Sequence, residues 1–150
     1  MAKKKIRSVF WVVSTHVLTT GFALPAVAGL TGLGVLSVAK MSPLAAFLVL
    51  LTFQAVGYIG GVFYSLSYIR RVALLKNPVA CITPSIITFA VLALIGFALN
   101  VSSLLDQPWG ALSRIAAILA IVLFFAVVGF AFAKITRRGF TRMEPYTPET

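Results

Sequence analysis

The chain has 150 residues, of which 60% are hydrophobic and 11% are charged, with a net charge of +10 and a mean hydropathy of +1.03. This composition excludes a soluble globular fold, which needs more polar surface, and intrinsic disorder, which needs fewer apolar residues. The single cysteine, Cys81, excludes a disulfide framework. The sequence therefore predicts an integral membrane protein.

Four stretches of the chain carry no charged side chain: residues 9–39, 41–69, 77–105 and 115–133. Each suffices for one crossing of a hydrocarbon core, which takes about 20 helical residues, and is too short for two crossings. Continuous apolar runs favour helices over barrel strands, in which apolar and polar residues alternate. We therefore predict an all-α, polytopic, four-helix transmembrane bundle spanning residues 9–133. Its helices are expected at about residues 9–30, 43–69, 78–104 and 110–133.

Prolines mark several of these boundaries. Ser42-Pro43 and Asn77-Pro78 each place a capping side chain before a proline, which is typical of a helix start. Pro25 lies inside the first segment and cannot donate a backbone hydrogen bond, so it predicts a kink there.

The first segment has two further interpretations. We expect its span to end near residue 30, followed by an external connection over residues 31–41, because glycines follow Pro25 and the full stretch exceeds one bilayer. A re-entrant, glycine-rich stretch lining a cavity is an alternative. Residues 1–28 also resemble a cleavable secretory signal, although the apolar run is longer than a signal core of about 7 to 15 residues.

Basic residues predict the orientation. Most of the 13 lysines and arginines lie in the N-terminus (residues 1–8), between the second and third helices, and in the tail (residues 134–150). By the positive-inside rule we expect both termini to be cytoplasmic. The expected location is the cell membrane, as a multi-pass protein of a bacterial or archaeal plasma membrane. These cations favour anionic lipid as a partner and do not indicate nucleic-acid binding, because they lie beside helix ends. The expected headgroup contacts are Lys3, Lys4, Lys5, Arg70, Arg71, Arg137 and Arg138.

Polar residues recur at helical spacing inside the first three segments, and their depth predicts one intramembrane cluster. His16 is its only candidate ligand for haem or a metal, but a neutral imidazole bonded to Thr20 or Gln54 is favoured, because no second histidine or intramembrane acid accompanies it. Gly57 and Gly61 predict close helix packing. The predicted cluster consists of His16, Thr20, Gln54, Tyr58 and Thr88.

The fourth segment contains no hydrogen-bonding side chain over residues 115–133. We expect it to face lipid or the apolar surface of a partner.

These patterns limit the function. The three acidic residues lie outside the spans, and no nucleophile, metal or phosphate-binding motif occurs, so we expect neither an enzyme nor a resident cofactor. The sequence favours a small accessory, assembly or structural subunit that contacts other membrane subunits or copies of itself. The alternative is a homo-oligomeric channel or facilitator with polar residues of the first three helices lining the path.

Overall fold

The computed structural model describes residues 4–38 and 40–147. Four rods within them are long and apolar enough to cross a membrane, as predicted. The first rod joins α1 and α2 through one π-helical turn, and the other three are α3, α4 and α5. The helices are α1 (Val9–Leu18), α2 (Leu24–Val38), α3 (Pro43–Val72), α4 (Ile82–Leu105) and α5 (Ala111–Thr141).

The first rod stays helical well past residue 30, where the sequence analysis expected it to end. The π-helical turn, Thr19–Ala23, ends two residues before Pro25, and the Leu24 N–H donates to the Thr19 carbonyl. A wide turn of this kind accommodates a residue that lacks an N–H without breaking the helix. The later glycines do not break it either, since none of the described glycines has a positive φ. Residues 31–38 are therefore helix α2 and not an external connection.

Local capping explains where the next two rods begin. The Ser42 side chain accepts a hydrogen bond from the Ala45 N–H, with Pro43 in the first turn. Asn77 accepts in the same way from the Ala80 N–H, ahead of a short 3₁₀ turn, Pro78–Cys81, that leads into α4. Both starts lie where the proline pairs predicted them.

Helix α5 continues eight residues beyond the apolar segment that ends at residue 133. The additional residues include cations but no proline, so the backbone has no reason to stop. One face of α5 is buried along its whole length, which corrects the expectation that the fourth segment faces only lipid or a partner. The buried face consists of Ala117, Ile121, Phe124, Val128, Phe132, Thr136 and Phe140.

Glycines allow the first rod to lie close to α3. A Cβ on Gly57 would lie 2.9 Å from the Pro25 Cα, and a Cβ on Gly61 would lie 2.9 Å from the Thr20 Cα. Real side chains do not tolerate such distances, so any larger residue would separate the helices here. The two glycines thus pack against the first rod at and just after its wide turn.

Three chain segments meet at one end of the bundle. The N-terminal strand β1 (Lys5–Ile6) pairs in parallel with β2 (Ala73–Leu74), which follows α3 directly. The Arg7 N–H bonds the Leu74 carbonyl at 3.2 Å, and the Tyr146 N–H bonds the Leu75 carbonyl at 2.8 Å. The N-terminus, the connection from α3 to α4 and the C-terminal tail are therefore joined by backbone hydrogen bonds. The basic clusters lie in these segments and in the ends of α3 and α5 that adjoin them.

Candidate functional site

Five polar side chains are completely buried among the described residues, and every rod supplies at least one of them. We call this group the polar layer. It consists of His16 and Thr20 from the first rod, Ser65 from α3, Ser85 from α4 and Thr136 from α5.

His16 is the centre of the polar layer. Its Nδ1 lies 2.6 Å from the Ser65 Oγ, and its Nε2 lies 2.9 Å from the Thr136 Oγ1. The ring stacks on Phe132 at a centroid distance of 5.1 Å and meets the edge of Phe140 at 5.5 Å. One imidazole therefore joins the first rod to α3 and α5 by hydrogen bonds and is enclosed by aromatic rings.

One assignment of the hydrogen atoms satisfies all of these contacts. Ser65 has one hydroxyl hydrogen, which it donates to the Val62 carbonyl at 3.0 Å. The Ser65 oxygen then accepts from the His16 Nδ1–H and from the Thr20 hydroxyl, which lies 3.4 Å away. The Thr136 hydroxyl donates to the bare Nε2. This arrangement satisfies a neutral imidazole with one donor and one acceptor, as buried polar groups require.

Ser85 completes the layer without joining its hydrogen bonds. Phe89 of α4 stacks on Phe132 of α5 at 3.9 Å, and these helices run in opposite directions. Ser85 lies one turn before Phe89 in α4, and Thr136 lies one turn after Phe132 in α5. Because the helices are antiparallel, Ser85 and Thr136 lie at about the same position along the bundle axis. The Ser85 Oγ is buried and has no hydrogen-bond partner among the described residues.

Three residues of the predicted cluster lie elsewhere. Thr88 is exposed, and Gln54 is half-buried without a hydrogen bond to His16. Tyr58 packs edge-on against Phe89 and another aromatic ring of the core. Only His16 and Thr20, of the five predicted residues, belong to the polar layer.

Depth separates these residues more than helix face does. Gln54 and Ser65 share a face of α3, but they are eleven residues apart, or about 16 Å along the axis. His16 lies seven residues from the start of α1, and Ser65 lies seven residues from the end of α3, which places them at one level. From the sequence alone, the depth of His16 is measured from one end of the bundle and that of Gln54 from the other, and on a helix of 30 residues these two depths do not coincide.

Thr136 was missed because the predicted span ended at residue 133. The signal that finds it is the i, i+4 continuation of the apolar face through Phe132, Thr136 and Phe140. A helix therefore has to be followed past its last apolar residue when its buried face is read.

The geometry restricts the chemistry of the layer. Ser65 and His16 have the contact distance of a nucleophile and its base, but in this assignment the Ser65 hydroxyl donates to the Val62 carbonyl, and neither side chain is exposed. A haem or metal ion would have to replace Ser65 or Thr136 at the ring. No group of three or more His, Cys, Asp or Glu residues is suited to hold a metal in the part of the chain that the structure describes.

The predicted headgroup residues lie on the outside of the bundle. All of them except Lys3, which lies outside the described residues, are exposed. Lys4 and Arg70 line a groove of about 660 Å³ at the end where the three segments meet. Arg137 and Arg138 line a separate depression of about 540 Å³ beside α4 and α5.

Comparison of the chain with protein-family models, with curated proteins and with solved structures gives no match.

Proposed function

We propose that the chain is a small accessory, assembly or structural subunit of a larger membrane complex, and that it is not an enzyme. The observation that carries this proposal is the closure of the polar layer, in which His16, Thr20, Ser65 and Thr136 bond one another and have no exposed surface. Polar groups used in this way fix the position of helices in a bundle. His16, Thr20, Ser65 and Thr136 are thus occupied with one another and are not available to a substrate or solute.

The proposal includes a location and an orientation. The chain crosses a bacterial or archaeal plasma membrane with both termini in the cytoplasm. The support is that β1, the connection after α3 and the C-terminal tail meet at one end of the bundle. Cytoplasmic connections carry the excess of lysine and arginine, and these three segments, together with the ends of α3 and α5 that adjoin them, hold most of both.

The outward face of α5 is the proposed contact surface for a partner subunit. Leu119 and Leu123 are 64% and 65% exposed, and Phe130 is 69% exposed. Ala116, before Leu119, and Ala126, between Leu123 and Phe130, are exposed small residues that allow a second helix to approach closely. An apolar ridge with small gaps suits a partner helix, because helix association in lipid depends on packing.

The channel or facilitator has less support. That alternative needs the polar residues of the first three helices on one accessible surface, but His16, Thr20 and Ser65 all face the sealed interior. A path through one copy would have to open the polar layer, and a path between copies would lack these residues.

Native purification combined with crosslinking tests the subunit proposal. A photo-reactive residue at Leu123 on α5 should give one discrete adduct with a larger membrane protein that co-purifies in mild detergent at fixed stoichiometry. The matched control is the same residue at Leu94, which is 67% exposed on the outward face of α4 and should give no such adduct.

Two results would contradict the proposal. The first is recovery of the chain only with copies of itself, whichever position carries the crosslinker. The second is solute or ion flux through liposomes that contain the purified protein, with a loss of flux in His16→Ala. Flux of that kind would favour the channel alternative.

A further inference from the structure

The groove where the three chain segments meet is built from separated parts of the sequence. Lys4 precedes β1, Arg70 lies in the last turn of α3, and Arg142 caps the end of α5. Leu74 and Tyr146 line the same groove, and the backbone bonds at Leu74 and Leu75 hold its walls together. The relative positions of the three cations are thus set by the fold.

The charge of the groove is not balanced from within. Three cations and one acidic residue, Glu144, line it, and no ion pair joins any of them to a residue in the described ranges 4–38 and 40–147. The three cations outnumber the single acid, so the groove carries a net positive charge and attracts anions at the boundary with a low-dielectric bilayer.

The helix dipoles at this groove do not favour an anion. Helices α3 and α5 both end at this groove, and a helix C-terminus carries partial negative charge. An anion bound here is therefore held by the side chains of Lys4, Arg70 and Arg142. Arginine guanidinium groups suit a phosphate in particular, because they donate paired hydrogen bonds to its oxygens.

We propose that this groove binds the phosphate of an anionic phospholipid headgroup. Its position at the ends of two membrane-length helices puts it at headgroup level, and Leu74 and Met143 give it an apolar side for the start of the acyl chains. Basic pockets between spanning helices on the cytoplasmic side bind such headgroups. The inference rests on the chain lying in a bilayer and is independent of any partner subunit.

Neighbouring arginines provide a matched test. Arg70 lines the groove, whereas Arg71 is also exposed and has the same charge but does not line it. The full-length protein is placed in nanodiscs of neutral lipid, and binding of added phosphatidylglycerol is measured by native mass spectrometry for the wild type, Arg70→Gln and Arg71→Gln. A parallel series adds inorganic phosphate alone.

We expect Arg70→Gln to weaken phosphatidylglycerol binding about five- to tenfold, because it removes one cation that contacts the headgroup. Arg71→Gln should change phosphatidylglycerol binding by less than about twofold. Arg142→Gln should repeat the loss, which guards against a local folding defect at Arg70. Equal losses for Arg70→Gln and Arg71→Gln would overturn the proposal, because they indicate diffuse surface charge. Binding of inorganic phosphate as tight as that of the lipid would overturn the assignment to a headgroup.

Discussion

Removing one hydroxyl from the polar layer should destabilise the whole bundle. In Ser65→Ala the His16 Nδ1–H loses its acceptor at 2.6 Å, and the Thr20 hydroxyl loses its neighbour at 3.4 Å. Both groups remain buried, with no exposed surface through which a solvent molecule replaces the lost oxygen.

Two magnitudes bracket the cost. A buried donor left without an acceptor costs about 1 to 3 kcal/mol. Interhelical hydrogen bonds in membrane proteins contribute about 0.6 kcal/mol on average and up to about 1.7 kcal/mol. Because His16 is enclosed by Phe132 and Phe140 and cannot turn to another partner, we expect a loss of about 1 to 2 kcal/mol in the free energy of unfolding.

A second serine supplies the control. Ser85 is also completely buried, but its hydroxyl has no hydrogen-bond partner among the described residues. Ser85→Ala removes a polar group that gains nothing from burial, so the unfolding free energy should stay within about 0.5 kcal/mol or rise.

The assay is reversible unfolding of the purified protein in mixed micelles, with increasing dodecyl sulfate and circular dichroism as the readout. The two variants should differ in midpoint, and Ser65→Ala should be the lower. Equal midpoints, or a lower midpoint for Ser85→Ala, would refute the hydrogen-bond assignment around His16.

Two further predictions concern packing and orientation. Gly57→Ala should lower the unfolding free energy by about 1 to 3 kcal/mol, because the added methyl group overpacks against the first rod. In the control, Gly60→Ala, the added Cβ meets nothing within 4 Å, so this variant should be neutral or stabilising. Equal unfolding midpoints for the two variants would contradict the close approach of the first rod to α3. In intact cells, a membrane-impermeant thiol reagent should label Gln107→Cys but not Lys76→Cys, and the wild type should stay unlabelled because Cys81 is buried. Labelling of Lys76→Cys alone would invert the proposed orientation.

The four rods could be predicted from the sequence because their signals are local. Four stretches without charged residues predicted the number of spans, and the capping residues Ser42 and Asn77 predicted where two of the helical segments begin, as the structure shows. Helix ends without a cap signal were harder to place. The glycines beyond Pro25 suggested a loop, yet Gly32 lies against Leu50 and Phe53 and stays helical.

The polar layer could be predicted only in part. The helix faces of His16 and Ser65 follow from spacing, but their common level depends on how far each helix extends, which local patterns do not determine. The groove could not be predicted at all, because it depends on the pairing of β1 with β2 and on the Tyr146 bond to Leu75. Contacts between residues so far apart in the sequence produce no periodic pattern of apolar and polar residues from which they could be predicted.

The wide turn at Thr19–Ala23 divides the first rod into two mechanically different halves. Before the turn, α1 is joined to α3 and α5 by the hydrogen bonds of the His16 ring. After the turn, α2 packs mainly against α3. A crevice of about 160 Å³ lies between the turn and α4, beside Tyr58. Because α2 contacts mainly α3 whereas α1 contacts α3, α4 and α5, thermal motion should be larger in α2 than in α1.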